Sequence, residues 1–340
     1  MTQAERAERI WDAHFVKRTP MGEASFSILS VLHTLGLRPD GRRLPVYREF
    51  FDRMSASDHM ELVFKLTGVT TVCLSFDPLS QEQQAAWESF GALDPRLNAS
   101  LRLNALIDGW STARLLLRNW GYEGEEEITD KTVESVRRFL RYWIAKVDPL
   151  YLVYDTGGSA SASPSETERR LMEQCVLPVA GEAGIPTAIF LEDQYERQYQ
   201  IDELVSRYPE NRFLCSARCQ YQQAQLKRLS RKYGNVHLFG CGGPRLPVSS
   251  MEPVLRTRMG LLGMDFTPAA SGAVVWDALI PAWVGARSLI AKVLIDKYGE
   301  LMNCGWQLAA EDIERDAAAL LGESFWRFLG RPNPALHVGT

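Results

Sequence analysis

Pro149-Leu-Tyr-Leu-Val-Tyr-Asp-Thr-Gly-Gly158 carries the strongest structural signal in the chain, because five successive apolar residues stop on an acid and two glycines. A run of that length with β-branched and aromatic members fits a parallel strand covered on both faces. Gly157 and Gly158 supply a tight turn directly after the carboxylate. Asp155 therefore stands where a buried strand reaches the surface, and it is the first candidate for chemistry.

The same pattern recurs on both sides of this strand. Toward the N-terminus lie Val69–Pro78, β-branched and ending on Asp77-Pro78, and Leu97–Leu106, which carries Arg102 and Asn104 on one parity. Toward the C-terminus lie Pro186–Glu192, Arg212–Ala217, Asn235–Gly243 and Gly272–Asp277. Helical periodicity fills the gaps: from Ser80, over Trp110–Asn119, Thr132–Lys146, Glu166–Ala180, near Tyr199–Tyr208, over Gln220–Tyr233, and in the apolar segment Ala282–Leu301. Ala309–Leu321 and Ser324–Leu329 close the chain helically. Before Val69 the spacing is helical throughout, in Ala4–Val16, Glu23–Leu35, Arg48–Met54 and Ser57–Leu66. The expected organisation is a helical lead-in over 1–67 packed on a domain over 68–330, with a tail over 331–340.

Strands that alternate with helices form a parallel sheet, since each crossover must run back along a helix. Two α/β architectures satisfy this, an open doubly wound sheet and a closed (β/α)8 TIM barrel. No Gly-x-Gly-x-x-Gly follows the first strand and no Gly-x-x-x-x-Gly-Lys-Ser/Thr occurs, so the nucleotide-binding forms of the open sheet lose their main support. The barrel is preferred, with its eighth strand expected inside the helical lead-in.

The 340 residues are 46% hydrophobic and 24% charged, an ordinary soluble composition. A net charge of -4 gives no basic surface, so nucleic acid and acidic membranes are not expected partners. Lys227–Lys232 reads as a solvated helix face. The six cysteines form no Cys-x-x-Cys pair and no compact framework, which predicts a reduced, cytoplasmic protein. The first 15 residues lack an apolar signal core, and no uninterrupted apolar run of about 20 residues occurs.

In a barrel the active site lies at the C-terminal ends of the strands. Those ends carry Asp77, Arg102 with Asn104, Asp155, Glu192, Ser216 with Arg218, Cys241 and Asp277. Several carboxylates in one partly desolvated pocket require a shifted pKa, a bound metal or a cationic substrate to balance them. Each acid also suits the N-cap of the helix that follows, so capping and catalytic readings stand side by side. The five histidines include no His-x-His and no His-Glu-x-x-His, and His33 and His59 read as ordinary helix residues. Cys215 and Cys219 read as buried structural thiols.

The order of four motifs resembles that of the uronate (glucuronate) isomerase family of the amidohydrolase superfamily, from about Phe26 to Leu329. Ser75-Phe76-Asp77-Pro78 is similar to its Thr-Asp-Asp-Pro, Arg102-Leu103-Asn104 to its Arg-Pro-Asp, and Tyr154-Asp155-Thr156-Gly157 to its Ser-Asp-His-Gly. Gly272–Leu279, followed by a long apolar helix, is similar to Gly-Met-Leu-Thr-Asp-Ser-Arg and keeps the aspartate as Asp277. The resemblance implies a distorted (β/α)8 barrel, a homo-oligomer, and aldose–ketose isomerisation of a small sugar acid. It also implies a metal held by a first-strand His-x-His and the last aspartate, with arginines on the substrate carboxylate. The chain departs from that pattern in lacking His-x-His; Asp12-Ala13-His14 reads as helix. The histidine near the fifth strand is Phe190, the tryptophan pair is Cys241-Gly242-Gly243, and the final arginine is Leu279.

The resulting expectation is a divergent uronate-isomerase-like enzyme that uses carboxylate acid/base chemistry on a small sugar-acid or hydroxy-acid substrate. Asp277 is the base or a metal ligand, Asp155 and Asp77 are further acids, and Arg102 is the anion clamp, with Asn104, Glu192 and Cys241 also facing substrate. For the cofactor two alternatives stay open, one divalent metal (Mg, Mn or Zn) or none, the oxygen-rich set favouring Mg or Mn. The competing function is a catalytically inactive barrel that serves as a ligand-binding or interaction protein.

Overall fold

The computed structural model describes residues 1–38, 43–89, 94–158, 164–191, 197–217, 220–241 and 248–334. By internal contacts the chain forms two compact units. The first comprises Met1–Thr70, Pro247–Ser249 and Ser271–Gly299; the second comprises Thr71–Leu246, Ser250–Ala270 and Glu300–Thr340.

The second unit is built on six parallel strands in strict sequence order: β1 Val72–Phe76, β2 Leu97–Arg102, β3 Leu152–Asp155, β4 Thr187–Leu191, β5 Phe213–Ala217 and β6 Val236–Leu238. A doubly wound sheet reverses its order at a switch point, and this one does not. Right-handed crossovers then put all the connecting helices on one face, which is the winding of a (β/α) barrel. The α/β barrel class predicted from the alternation is therefore met, with β1 and β6 at the ends of the ladder among the described residues.

Register assigns the side chains to the two faces. Leu101, Leu152, Thr187, Phe213 and Val236 align across the sheet and are buried on the helix-covered face. There the Phe76 ring lies 5.2 Å from both Trp87 and Trp143, on the helices Gln81–Ser89 and Asp130–Val147. The other face carries Ser75 opposite Ser100, and Arg102, Val153, Ala188, Leu214 and His237 in one row. Its apolar part is a core of Leu150, Val153, Ala188, Leu214 and Phe239, closed by Trp326 and Leu329 from the helix Ser324–Leu329.

Beyond β6 the ladder continues by a single parallel bridge, Phe239 to Thr267, supported by Gly240 N–H to Thr267 O (2.8 Å) and Cys241 N–H to Pro268 O (2.8 Å). This position was expected to be filled by Gly272–Asp277, and that expectation is corrected. Gly272–Val275 forms no ladder among the described residues, Val274 is 96% exposed, and Trp276–Ala278 is a 3-10 turn. The missing ladder partner, and not residue propensity, is what prevents a strand there. An unpredicted helix, Val248–Leu262, precedes Thr267.

The first unit is helical among the described residues, so the eighth strand expected in the lead-in is not found there. Gln3–Trp11 runs on as a wider turn over Asp12–Val16, followed by Glu23–Thr34, Leu44–Asp52 and Ala56–Thr67. Its core is aromatic: Trp11 stacks on Phe15 at 4.2 Å and meets Tyr47 at 5.3 Å, with Leu32 beside them. The capping Ser55 accepts from the Asp58 amide and starts the helix that ends on Gly68. The long helix Leu279–Asn303 contributes its residues through Gly299 to this unit. By length and composition it resembles a membrane span, but Ile280, Leu289, Ile290, Val293 and Leu294 are buried in the protein.

Candidate active site

In the second unit the C-terminal ends of β1 to β3 gather polar groups on the face opposite the helices. Alternation along each strand dictates this: once Val153 points into the apolar core, Asp155 two residues on points the same way at the strand's end. Arg102 pairs in register with Val153, so its guanidinium rises from the same face, where it is exposed and donates from Nε to Ser75 Oγ at 3.2 Å. Ser75, also exposed, is the one hydrogen-bond partner of the Arg102 side chain among the described residues.

Asp77 follows β1 by one residue. Its Oδ1 accepts the Leu79 amide at 2.9 Å, and its own amide donates to Gln83 Oε1 at 2.7 Å. Burial raises its carboxyl pKa, against smaller opposing effects of the Leu79 hydrogen bond and the Arg102 charge. Asp77 and Arg102 are thus close enough to feel one another, and the acid is poised to hold a proton more readily than an exposed aspartate.

Asn104 ties the ends of two strands together. Its amide nitrogen donates to the Asp155 carbonyl (2.6 Å) and to Asp108 Oδ2 (2.8 Å), while its Oδ1 accepts the Asp155 amide at 3.1 Å. Tyr154 donates its hydroxyl to the other oxygen of Asp108 at 2.9 Å. Asn104 was expected to face substrate, but its side-chain amide is engaged in holding Asp155. The Asp155 carboxylate itself accepts the Gly157 amide at 3.1 Å and is half-buried.

Two other predicted site residues stand apart from this group. Cys241, expected to contact substrate, is 1% exposed, and burial pushes its thiol pKa up. Such a thiol is a packed side chain closed to solvent. Glu192 lies outside the described residues.

The first unit holds Asp277, and the residue that the sequence reading missed is next to it. Asp277 sits in the turn Trp276–Ala278, and its Oδ1 is 2.7 Å from Nε2 of His59 on the helix Ala56–Thr67. The Phe51 ring packs edge-on against the imidazole at 5.7 Å, and Trp276 meets Phe64 at 5.9 Å, so both ends of the pair are fixed by aromatic contacts. Side-chain exposures of 21% and 28% leave His59 and Asp277 within reach of a solute. Nothing in the spacing of the sequence signals this pairing. His14 is exposed on the turn Asp12–Val16, and Asp12 pairs with Lys17 at 2.5 Å.

Among the described residues, no three His, Cys, Asp or Glu side chains converge in a way that could hold a metal ion. The described donors therefore do not supply a ligand set at Asp277 for the divalent metal that the family resemblance implies.

No family model matches the chain, and no curated protein sequence does. Solved structures do. A uronate isomerase from Bacillus halodurans is 32% identical, with a TM-score of 0.91, over 100% of this chain and 84% of its own. A uronate isomerase from Thermotoga maritima superposes with a TM-score of 0.60 at 10% identity, covering 79% of this chain and 69% of its own. A glucuronate isomerase from Caulobacter crescentus gives 0.55 at 12% identity, covering 82% and 68%. These last two show likeness of fold.

Proposed function

The chain belongs to the uronate isomerase family, and from that we propose that it interconverts the aldose and ketose forms of a small sugar acid. The observation that supports this most is the 32% identity held over the whole chain with a TM-score of 0.91 to a uronate isomerase. The reaction moves a proton from the carbon beside a carbonyl to the carbonyl carbon through an enediol, and moves a second proton between the two oxygens. It needs an acid/base group near neutral pKa and a fixed cation for the substrate's carboxylate.

Two separate sets of residues, one in each unit, are candidates for this work. In the second unit Arg102 is the anion clamp: its planar fork suits a carboxylate, and Ser75 holds its Nε edge. Asp77, with its carboxyl pKa raised by burial, is the acid/base beside that clamp. Asp155 is a further acid, and Asn104 is its positioning residue. In the first unit the His59–Asp277 pair is the other candidate for proton transfer, the carboxylate orienting the imidazole as in other general bases.

The test is direct. Purified protein is incubated with a panel of six-carbon sugar acids in deuterated water and followed by proton and deuterium NMR. Ketose formation with deuterium at the carbon that receives the proton is expected. An absence of both conversion and exchange across the panel would overturn the reading and favour the non-catalytic barrel.

A further inference from the structure

Arg258, on the helix Val248–Leu262, is among the largest fully buried side chains of the protein, at 0% exposure. Its Nη2 donates to Gln223 Oε1 at 2.5 Å, and its guanidinium carbon lies 5.9 Å from the centre of the Phe266 ring. Gln223 is itself buried and donates to the carbonyl of Ala217 at the end of β5, which fixes the oxygen that holds Arg258. Among the described residues the guanidinium's Nε and Nη1 have no hydrogen-bond partner.

A buried guanidinium with two unsatisfied nitrogens is costly, and a carboxylate partner usually removes that cost. Here none of the neighbours Lys227, His237 and Cys241 supplies a negative charge. Lys227 and His237 are also buried, and burial together with the Arg258 charge lowers the pKa of each. Among the described residues none of the three is paired with a carboxylate. The remaining neighbour, Cys241, is a thiol that burial keeps protonated. A buried guanidinium with unfilled N–H donors, beside a buried lysine, is what a small oxyanion requires and what a cationic ligand would not tolerate.

We propose that the Arg258 corner of the second unit is a binding site for a small oxyanion, with phosphate, sulfate and carboxylate sharing the required chemistry. The anion accepts from Nε or from Nη1 of Arg258, whose N–H bonds point to opposite sides of the guanidinium, and Gln223 holds Nη2 in place. The site is independent of the isomerase reading: it would stabilise the fold whether or not the protein turns over a sugar acid.

Wild-type protein and Arg258→Met are titrated with sodium phosphate, sodium sulfate and sodium acetate at constant ionic strength, with chloride as the reference, while Tm is followed. Wild type is expected to gain on the order of 5 °C at a hundredfold excess of the preferred anion over its Kd, and Arg258→Met nothing. The anion that acts at the lowest concentration identifies the source. No response in wild type, or an equal response in the variant, overturns the site. Should the variant fail to fold, wild-type crystals soaked in selenate decide the matter. A selenium peak within hydrogen-bond distance of Arg258 Nε or Nη1 supports the site, whereas peaks at surface residues alone, an adventitious ion only, overturn it.

Discussion

Nε2 of His59 lies 2.7 Å from Oδ1 of Asp277, joining a helix residue to a turn residue 218 positions later in the chain. The carboxylate fixes which imidazole nitrogen carries the proton, so the two side chains act as one unit. If that unit transfers the substrate proton, His59→Gln and Asp277→Asn should each lower kcat by about 10²- to 10⁴-fold. The double variant should lose little more than the worse single one, since residues that act together are not additive. Losses that multiply in the double variant would mean that His59 and Asp277 work independently.

Among the described residues Arg102 makes one side-chain hydrogen bond, to Ser75, and it is exposed, so its replacement should spare the fold. Removing a charge-assisted clamp costs about 1.5–3 kcal/mol, which is about a 10- to 100-fold rise in KM for Arg102→Ala. Arg102→Lys keeps the charge and loses the fork, and should recover only part of it. Steady-state kinetics separate the roles: a fall in kcat at constant KM would assign Arg102 to the transition state instead.

Asp77 gives a prediction in which the sign matters. Its folded-state pKa is raised by burial, so the folded protein binds this proton more tightly than the unfolded chain does. Stability from this group is therefore full below the ordinary aspartate pKa and is lost as pH rises through the raised folded value. Asp77→Asn keeps an oxygen for the Leu79 amide and cannot ionise. It should melt higher than wild type at neutral pH and equally at pH 3, while its isomerase turnover falls about 100-fold or more. A variant that melts lower than wild type at neutral pH would show that the charge is stabilised in the fold.

The strand-and-helix order was legible because apolar, β-branched runs such as Val72–Phe76 and Leu152–Asp155 end on polar residues that terminate burial. Helices with a clean apolar stripe, such as Trp110–Asn119 and Ser324–Leu329, were read to the residue. Gly272–Asp277 misled because Val274 and Val275 have strand propensity, whereas a strand also needs an edge to pair with, and Thr267 occupies that edge. Pro253 within Val248–Leu262 hid that helix. At the candidate site, the placement of residues was legible only where it follows strand parity, as for Arg102 and Asp155 at the ends of their strands. The partners that define its chemistry come from distant segments, and periodicity carries no information on His59 beside Asp277. One signal was available: Arg258 stands beside Val254, Leu255 and Met259 in an otherwise buried helical stripe, where a lone arginine requires an explanation.

Asn104 separates a positioning role from a contact role. Its amide holds both backbone groups of Asp155, and truncation leaves those groups and Asp108 without this partner. Asn104→Ala should cost about 1–3 kcal/mol in urea unfolding and lower kcat more than it raises KM, because Asp155 shifts while the clamp is kept. A rise in KM with unchanged stability would instead put Asn104 on the substrate.

His237 should give the clearest pH dependence of stability. Burial, with the charges of Arg258 and Arg327, lowers its pKa from 6.5 to about 4. The imidazole stacks on Phe328 at 4.9 Å and bonds Thr267 Oγ1 at 2.9 Å, an environment built for the neutral ring. The unfolded chain therefore takes up this proton first as pH falls. Stability from the neutral ring is full above pH 6.5, declines between 6.5 and about 4, and is exhausted below, the whole amounting to on the order of 3 kcal/mol. His237→Gln retains a partner for Thr267 and removes the titration. Urea midpoints measured from pH 7 to pH 4 should fall more steeply for wild type than for the variant, with the difference confined to that window. Parallel curves would mean that the folded protein accommodates a charged His237 and that the acid sensitivity belongs to other groups.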